Sequence, residues 1–221
     1  MKNYKVILFD LDGTLSDPKI GITKSVQYAL EKMGINEPNI NNLEPFIGPP
    51  LQVSFSEFYG FNQAESTQAI AYYRERFKKF GMFENALYKG IPTLLKMLKS
   101  QGYLLAIATS KPTVFAEEIL KYFDIDHYFD IIGGSNLDGT RSAKGEIIAF
   151  VMQHFEQYST QYFIMIGDRK HDIIGAIENN IESIGVTYGY GSNEELQLAR
   201  ATYIVDSVEK LGEFFNTYEI S

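Results

Sequence analysis

The chain has 221 residues, no cysteine and a formal net charge of −8, with 45% hydrophobic and 22% charged residues. Without thiols there is neither a disulfide framework nor a thiolate nucleophile or metal site, which leaves a hard metal held by oxygens as the open possibility. The acidic balance argues against a basic surface that grips a nucleic acid polymer or an anionic membrane, and the composition is that of an ordered globular protein with one sizeable domain or two smaller ones.

The first predicted element is a strand over Val6-Ile7-Leu8-Phe9, which stops at Asp10-Leu11-Asp12-Gly13-Thr14. Residues two apart on a strand share a side, so Asp10 and Asp12 converge at the strand end while Gly13 lets the backbone turn away. Two neighbouring carboxylates invite a divalent cation and nucleophilic or acid/base work. The plain structural alternative is a strand exit in which Asp12 and Thr14 satisfy loop hydrogen bonds. The interruption at Asp10, and the lack of any run approaching a membrane span, lead us to expect a cytoplasmic protein without a membrane partner.

From about Ser16 to Leu87 the pattern is helical: Ile22, Val26, Ala29 or Leu30 and Met33 recur at helical spacing, as do Ile70, Tyr73, Phe77 and Phe80. Beyond Gly90, apolar runs alternate with amphipathic stretches, as in a parallel sheet covered by helices. Strands are predicted at residues 104–108, 162–166, 183–186 and 203–205, with helices starting near Ile91, Thr113, Ala143, Ile173, Asn193 and Val208. The result is a doubly wound α/β core with a helical insert after its first strand.

Three further places carry chemistry. Thr109 and Ser110 follow a strand and precede a helix with Pro112 in its expected first turn, most commonly the setting of an ordinary helix cap and otherwise one for cradling phosphate. Lys144 stands at a helix start, where the macrodipole disfavours it unless an anion is near; a solvated surface lysine is the alternative. Gly167-Asp168-Arg169-Lys170-His171-Asp172 again ends an apolar strand in an acid, with a second acid four residues on where a helix begins. Asp168 and Asp172 there offer oxygen ligands for Mg2+, or serve as turn former and helix cap. His171 is expected to face solvent or cap the helix.

Taken in order, Asp10 to Thr14, Thr109, Lys144 and Gly167 to Asp172 resemble the four motifs of the haloacid dehalogenase-like hydrolase superfamily. The resemblance implies a Rossmann-like core of residues 1–15 and 88–221 and a C1 cap of residues 16–87. It further implies a phosphoryl-transfer enzyme in which Asp10 is the nucleophile and Asp12 the general acid and base. Thr109, Ser110 and Lys144 would bind the substrate phosphate, and Asp10, Asp12 through its carbonyl, Asp168 and Asp172 would hold Mg2+. The second acid, Asp12, favours phosphoryl transfer over dehalogenation, because a halide leaves without a proton. Phe46 to Leu51 looks like the family's cap loop that reaches toward the site, or is an ordinary interhelical loop, and the overall pattern, including Gly185 to Gly191, looks most like phosphoglycolate phosphatase-like and nucleotidase-like members. A small phosphorylated metabolite is the expected partner of a monomer or small homo-oligomer. A sugar phosphomutase of the β-phosphoglucomutase type and a non-catalytic phosphate-binding protein on the same fold stay open as alternatives, and Arg74 is a candidate for contacting substrate.

Overall fold

The structure, a computed structural model, describes residues 4–216. The first strand, β1 (Val6–Phe9), leads through β2 (Ser16–Asp17) into helices α1 (Lys19–Lys32), α2 (Leu51–Tyr59) and α3 (Gln63–Arg76), and the chain returns through β3 (Ala86–Leu87). It then alternates: α4 (Ile91–Ser100), β4 (Leu104–Pro112), α5 (Thr113–Tyr122), β5 (Ile131–Ser135), α6 (Lys144–Met152), β6 (Phe163–Gly167), α7 (Lys170–Glu178), β7 (Glu182–Val186), α8 (Asn193–Leu198), β8 (Tyr203–Val205) and α9 (Val208–Asn216). The described chain divides into two compact units, one of residues up to Ser16 and from Leu87 onward, the other Asp17–Ala86. β2 and β3, at the two crossings, pair with each other.

In the first unit six strands form one parallel sheet in the order β5-β4-β1-β6-β7-β8. Every residue of β1 and β6 is buried, as expected for strands covered on both faces. Val6 and Leu8 pair with Phe163 and Met165 of β6 and, with Ala106 and Ala108, meet Ile147, Ile148 and Val151 of α6. The alternate residues Ile7, Phe9, Leu105, Ile107, Ile164 and Ile166 are also fully buried. The chain winds outward from β1 to β4 and β5, then crosses back to β6 on β1's other side, so the winding reverses at β1. A crevice for ligands opens at the carboxyl ends of the strands at such a reversal. Of the motif residues, Asp10 follows β1, Thr109 lies in the second half of β4, Lys144 opens α6 after β5 and Asp168 follows β6.

The structure departs from the sequence expectation in four places. β5 was not predicted, because Ile131-Ile132-Gly133-Gly134-Ser135 has only two apolar residues and no alternation. Its glycines serve close approach: a Cβ on Gly134 would stand 2.4 Å from the Lys111 carbonyl oxygen. β4 runs on past residue 108 to Pro112, which precedes α5 instead of lying in its first turn. α7 starts at Lys170, three residues before Ile173, because Asp172 Oδ2 accepts the Arg169 N–H at 3.0 Å and caps the earlier turn.

The fourth departure is in the helical unit. Ile22, Val26, Ala29 and Leu30 form the buried face of α1, and Tyr73 and Phe77 are buried on and just after α3, but Phe80 is exposed. The chain widens into a π turn over Phe77–Gly81, which rotates Phe80 off the predicted face. The predicted loop from Phe46 is narrower than expected: Ile40–Phe46 is a 3-10 helix, and Phe46 is buried with its ring 5.0 Å from that of Phe55. No helix among the described residues is long and apolar enough to cross a membrane.

Leu8 is fully buried at the centre of the sheet between Ala106 and Met165. Leu8→Ala is expected to lower the free energy of unfolding by about 2–5 kcal/mol, measured by urea denaturation.

Candidate active site

β1 delivers Asp10 to the sheet's carboxyl end, where its N–H donates to the Ile166 carbonyl at 2.9 Å. Its Oδ1 accepts the Leu11 N–H at 2.8 Å and pairs with Lys144 Nζ at 3.0 Å. The next residues close a tight turn: Gly13 N–H donates to the Ser16 carbonyl, and Thr14, Leu15 and Ser16 N–H groups to the Leu11 carbonyl. Gly13 has φ +84, and a Cβ there would lie 2.2 Å from Asp168 Oδ2. Glycine thus meets two demands at once, a left-handed turn and close passage beside the acid.

Lys144 is the first residue of α6 and is buried. Its Nζ pairs with Asp10 Oδ1 at 3.0 Å and Asp172 Oδ1 at 2.8 Å and donates to the Ala108 carbonyl at 3.0 Å. The anion that justifies a lysine at a helix start is therefore already present in the protein, as two carboxylates. Burial alone would lower this ammonium's pKa, but the charges of Asp10 and Asp172 outweigh it and hold the pKa above the ordinary lysine value.

Asp168, at the end of β6, is fully buried. Its Oδ2 accepts the Tyr190 N–H at 2.7 Å and its Oδ1 the Thr14 hydroxyl at 3.3 Å, while the Tyr188 hydroxyl donates to the Thr14 carbonyl at 3.0 Å. Asp172 combines both roles considered for it, capping α7 through Oδ2 and facing Lys144 through Oδ1. Carboxylate oxygens of Asp10, Asp168 and Asp172 all lie within 4.8 Å of one another.

Asp12 is buried apart from this trio's lysine, with Oδ2 2.8 Å from Lys111 Nζ. Thr109 is buried one residue beyond Ala108, and its Oγ1 accepts the Lys111 N–H at 3.3 Å. Ser110 is half-buried, and its carbonyl accepts the Ser135 hydroxyl. Both hydroxyl residues lie within β4 and not in a loop ahead of the helix.

Sequence reasoning missed Lys111, Tyr188 and Tyr190. Lys111 stands two residues after Thr109, a spacing that puts both on one side of a strand and was a usable signal once β4 is extended. The tyrosines act through a backbone N–H and a long-range hydroxyl contact, for which no local pattern exists.

Four buried carboxylates, Asp10, Asp12, Asp168 and Asp172, here face two buried ammonium groups, Lys111 and Lys144. With all four ionised, two negative formal charges remain, the amount one divalent cation neutralises. Burial raises the pKa of Asp12, that of Asp168 well above the ordinary range, and that of Asp172 to about 6. The carboxylate oxygens of Asp10, Asp168 and Asp172, buried and within 4.8 Å of one another, make an oxygen-only donor set that fits Mg2+.

The family model for haloacid dehalogenase-like hydrolases matches residues 7–186. A 5'-nucleotidase of Pseudomonas aeruginosa is 46% identical over 215 residues, covering 97% of this chain and 97% of that protein. A phosphoglycolate phosphatase of Vibrio cholerae is 29% identical over 222 residues, covering 96% of this chain and 97% of that one. Among solved structures, a predicted phosphatase from Clostridium acetobutylicum superimposes with a TM-score of 0.95 at 51% identity, covering 97% of this chain and 99% of that chain.

A carboxyl group whose pKa is higher in the folded chain binds more protons folded than unfolded. Its stabilisation is therefore present at low pH and lost as pH rises from the ordinary 3.8 through about 6 for Asp172, and over a wider span for Asp168. Mg2+ bound at this cluster would replace the lost positive charge. The gain in thermal midpoint on adding Mg2+ is expected to be larger at about pH 7.5 than at about pH 5. Equal gains at the two pH values would rule out this cluster as the cation site.

Proposed function

Because the chain belongs to the haloacid dehalogenase-like hydrolase family and is one of its phosphatases, we propose that it hydrolyses small phosphate monoesters through a phosphoaspartate on Asp10, with Mg2+ as cofactor. The observation that carries this reading is the pair of buried acids at one strand end, each paired with a different lysine: Asp10 with Lys144, which Asp172 shares, and Asp12 with Lys111. A protein that only binds phosphate has no use for a nucleophile and a separate acid placed two residues apart.

In this mechanism an Asp10 carboxylate oxygen attacks the substrate phosphorus in line with the ester oxygen, and the bond to that oxygen breaks. Asp12 gives its proton to the departing alkoxide; it later takes one from the water that attacks the phosphoaspartate, releasing phosphate and restoring Asp10. Burial, which raises the Asp12 pKa, favours the protonated form that the first step needs. Lys144, Thr109 and Ser110 hold the phosphoryl oxygens. Asp10, the carbonyl of Asp12, Asp168 and Asp172 would hold Mg2+, which when bound screens the repulsion between an anionic nucleophile and an anionic phosphate.

The substrate we favour is a nucleoside 5'-monophosphate, on the strength of the 46% identity with the Pseudomonas aeruginosa 5'-nucleotidase; 2-phosphoglycolate is the next candidate, from the 29% identical phosphatase. Residues 1–15 and 88–221 are read as the catalytic core and residues 16–87 as a cap that supplies specificity. Within that cap the half-buried Arg74 is the candidate for a second anionic group of the substrate.

Phosphate release with Mg2+ is the direct test, across nucleoside monophosphates, phosphoglycolate and sugar phosphates. Turnover should be selective for the nucleotides, vanish with chelator, and fall by roughly 10⁴-fold or more in Asp10→Asn while the variant stays folded. Substantial Mg2+-dependent turnover by Asp10→Asn would refute the assigned nucleophile.

A further inference from the structure

β4 continues past Thr109 through Lys111 to Pro112, and its pairing with β5 shifts register between Ala108 and Pro112. Such an irregularity re-aims side chains at a strand end. Within it the Lys111 N–H donates to Thr109 Oγ1 at 3.3 Å. The Lys111 side chain is 5% exposed, and its Nζ stands 2.8 Å from Asp12 Oδ2. The other oxygen, Asp12 Oδ1, is buried without a hydrogen-bond partner among the described residues. A buried ammonium is costly to keep and persists where its pairing is close, yet the mechanism above assigns Lys111 nothing to do.

We propose that Lys111 is a positioning residue that orients the Asp12 carboxyl group, holding Oδ2 so that Oδ1 is the oxygen that exchanges protons with the reacting groups; this rests on the reading of Asp12 as acid and base. As the phosphorus–oxygen bond to the leaving group breaks, the proton on Oδ1 passes to the departing oxygen. When water attacks the phosphoaspartate, Oδ1 takes up the water's proton, so Asp12 ends as it began. Lys111 takes no part in the proton exchange and touches no reacting atom.

The leaving group reads this role out. Nitrophenolate departs without protonation, whereas an alkoxide needs a proton delivered from a well-aimed acid. Full-length Lys111→Met, Lys111→Gln and Asp12→Asn are compared with the unaltered protein in Mg2+, on p-nitrophenyl phosphate and on the fastest alkyl phosphate of the panel above. The glutamine variant covers the case in which methionine prevents folding.

The expected result is a fall of at least about tenfold in the alkyl-to-aryl ratio of kcat/KM for the Lys111 variants, in the same direction as for Asp12→Asn. In an Asp12→Asn background the Lys111 substitution should cause no further loss of alkyl turnover. Equal losses on both substrates, or none, with Asp12→Asn still selective against the alkyl ester, would overturn the proposal and leave the role of Asp12 standing. An Asp12→Asn variant without that selectivity would overturn the reading of Asp12 and the proposal with it.

Discussion

A buried carboxylate costs several kcal/mol unless a counter-charge and hydrogen bonds meet it, and removing one partner of a buried pair costs about 3–5 kcal/mol. This chain gathers four such groups at the carboxyl end of its sheet. Lys144 does most to make that tolerable, and in doing so it ties the core together. From the start of α6 its Nζ reaches Asp10 after β1, the Ala108 carbonyl on β4 and Asp172 on α7. One ammonium thereby fixes four elements relative to one another at the point where the winding of the sheet reverses. Asp168, outside Lys144's direct pairs, is instead met by the Tyr190 N–H and the Thr14 hydroxyl, which draws in the turn after β1 and the segment after β7.

The parts of this arrangement that were legible in the sequence are those written in local pattern. Fully buried parallel strands read as unbroken apolar runs, so β1 and β6 stood out, and an acid that ends such a run is conspicuous. The helix starts at Ile91, Thr113, Asn193 and Val208 coincide with their predicted positions. What was hidden depends on long-range contacts. β5 carries glycines where neighbouring backbone needs room, which erases the alternation that marks a strand. Phe80 continues a helical spacing that the π turn breaks. Lysine at position 144 looked like a surface residue or an anion ligand from its neighbours alone, since carboxylates 134 and 28 positions away cannot be seen from within one helix. Lys111 was overlooked for the same reason: its partner, Asp12, lies on a different strand end.

The arrangement of the two lysines bears on how two acids so close in sequence acquire different work. Carboxyl groups that share a site tend to share a proton, and enzymes separate their roles by giving them different surroundings. Here Asp10 faces an ammonium already engaged by Asp172 and by a carbonyl, within the trio of carboxylates. Asp12 faces its own ammonium and keeps one oxygen unpartnered. Burial nonetheless raises the Asp12 pKa despite Lys111, so the lysine does not convert it into an ordinary ionised surface acid. The division proposed for them, attack by Asp10 and proton exchange by Asp12, follows from this asymmetry more than from the identity of either residue. The two lysines divide the work accordingly: Lys144 holds Asp10 together with Asp172, Lys111 holds Asp12, and the negative charge they leave unbalanced would suit a divalent cation.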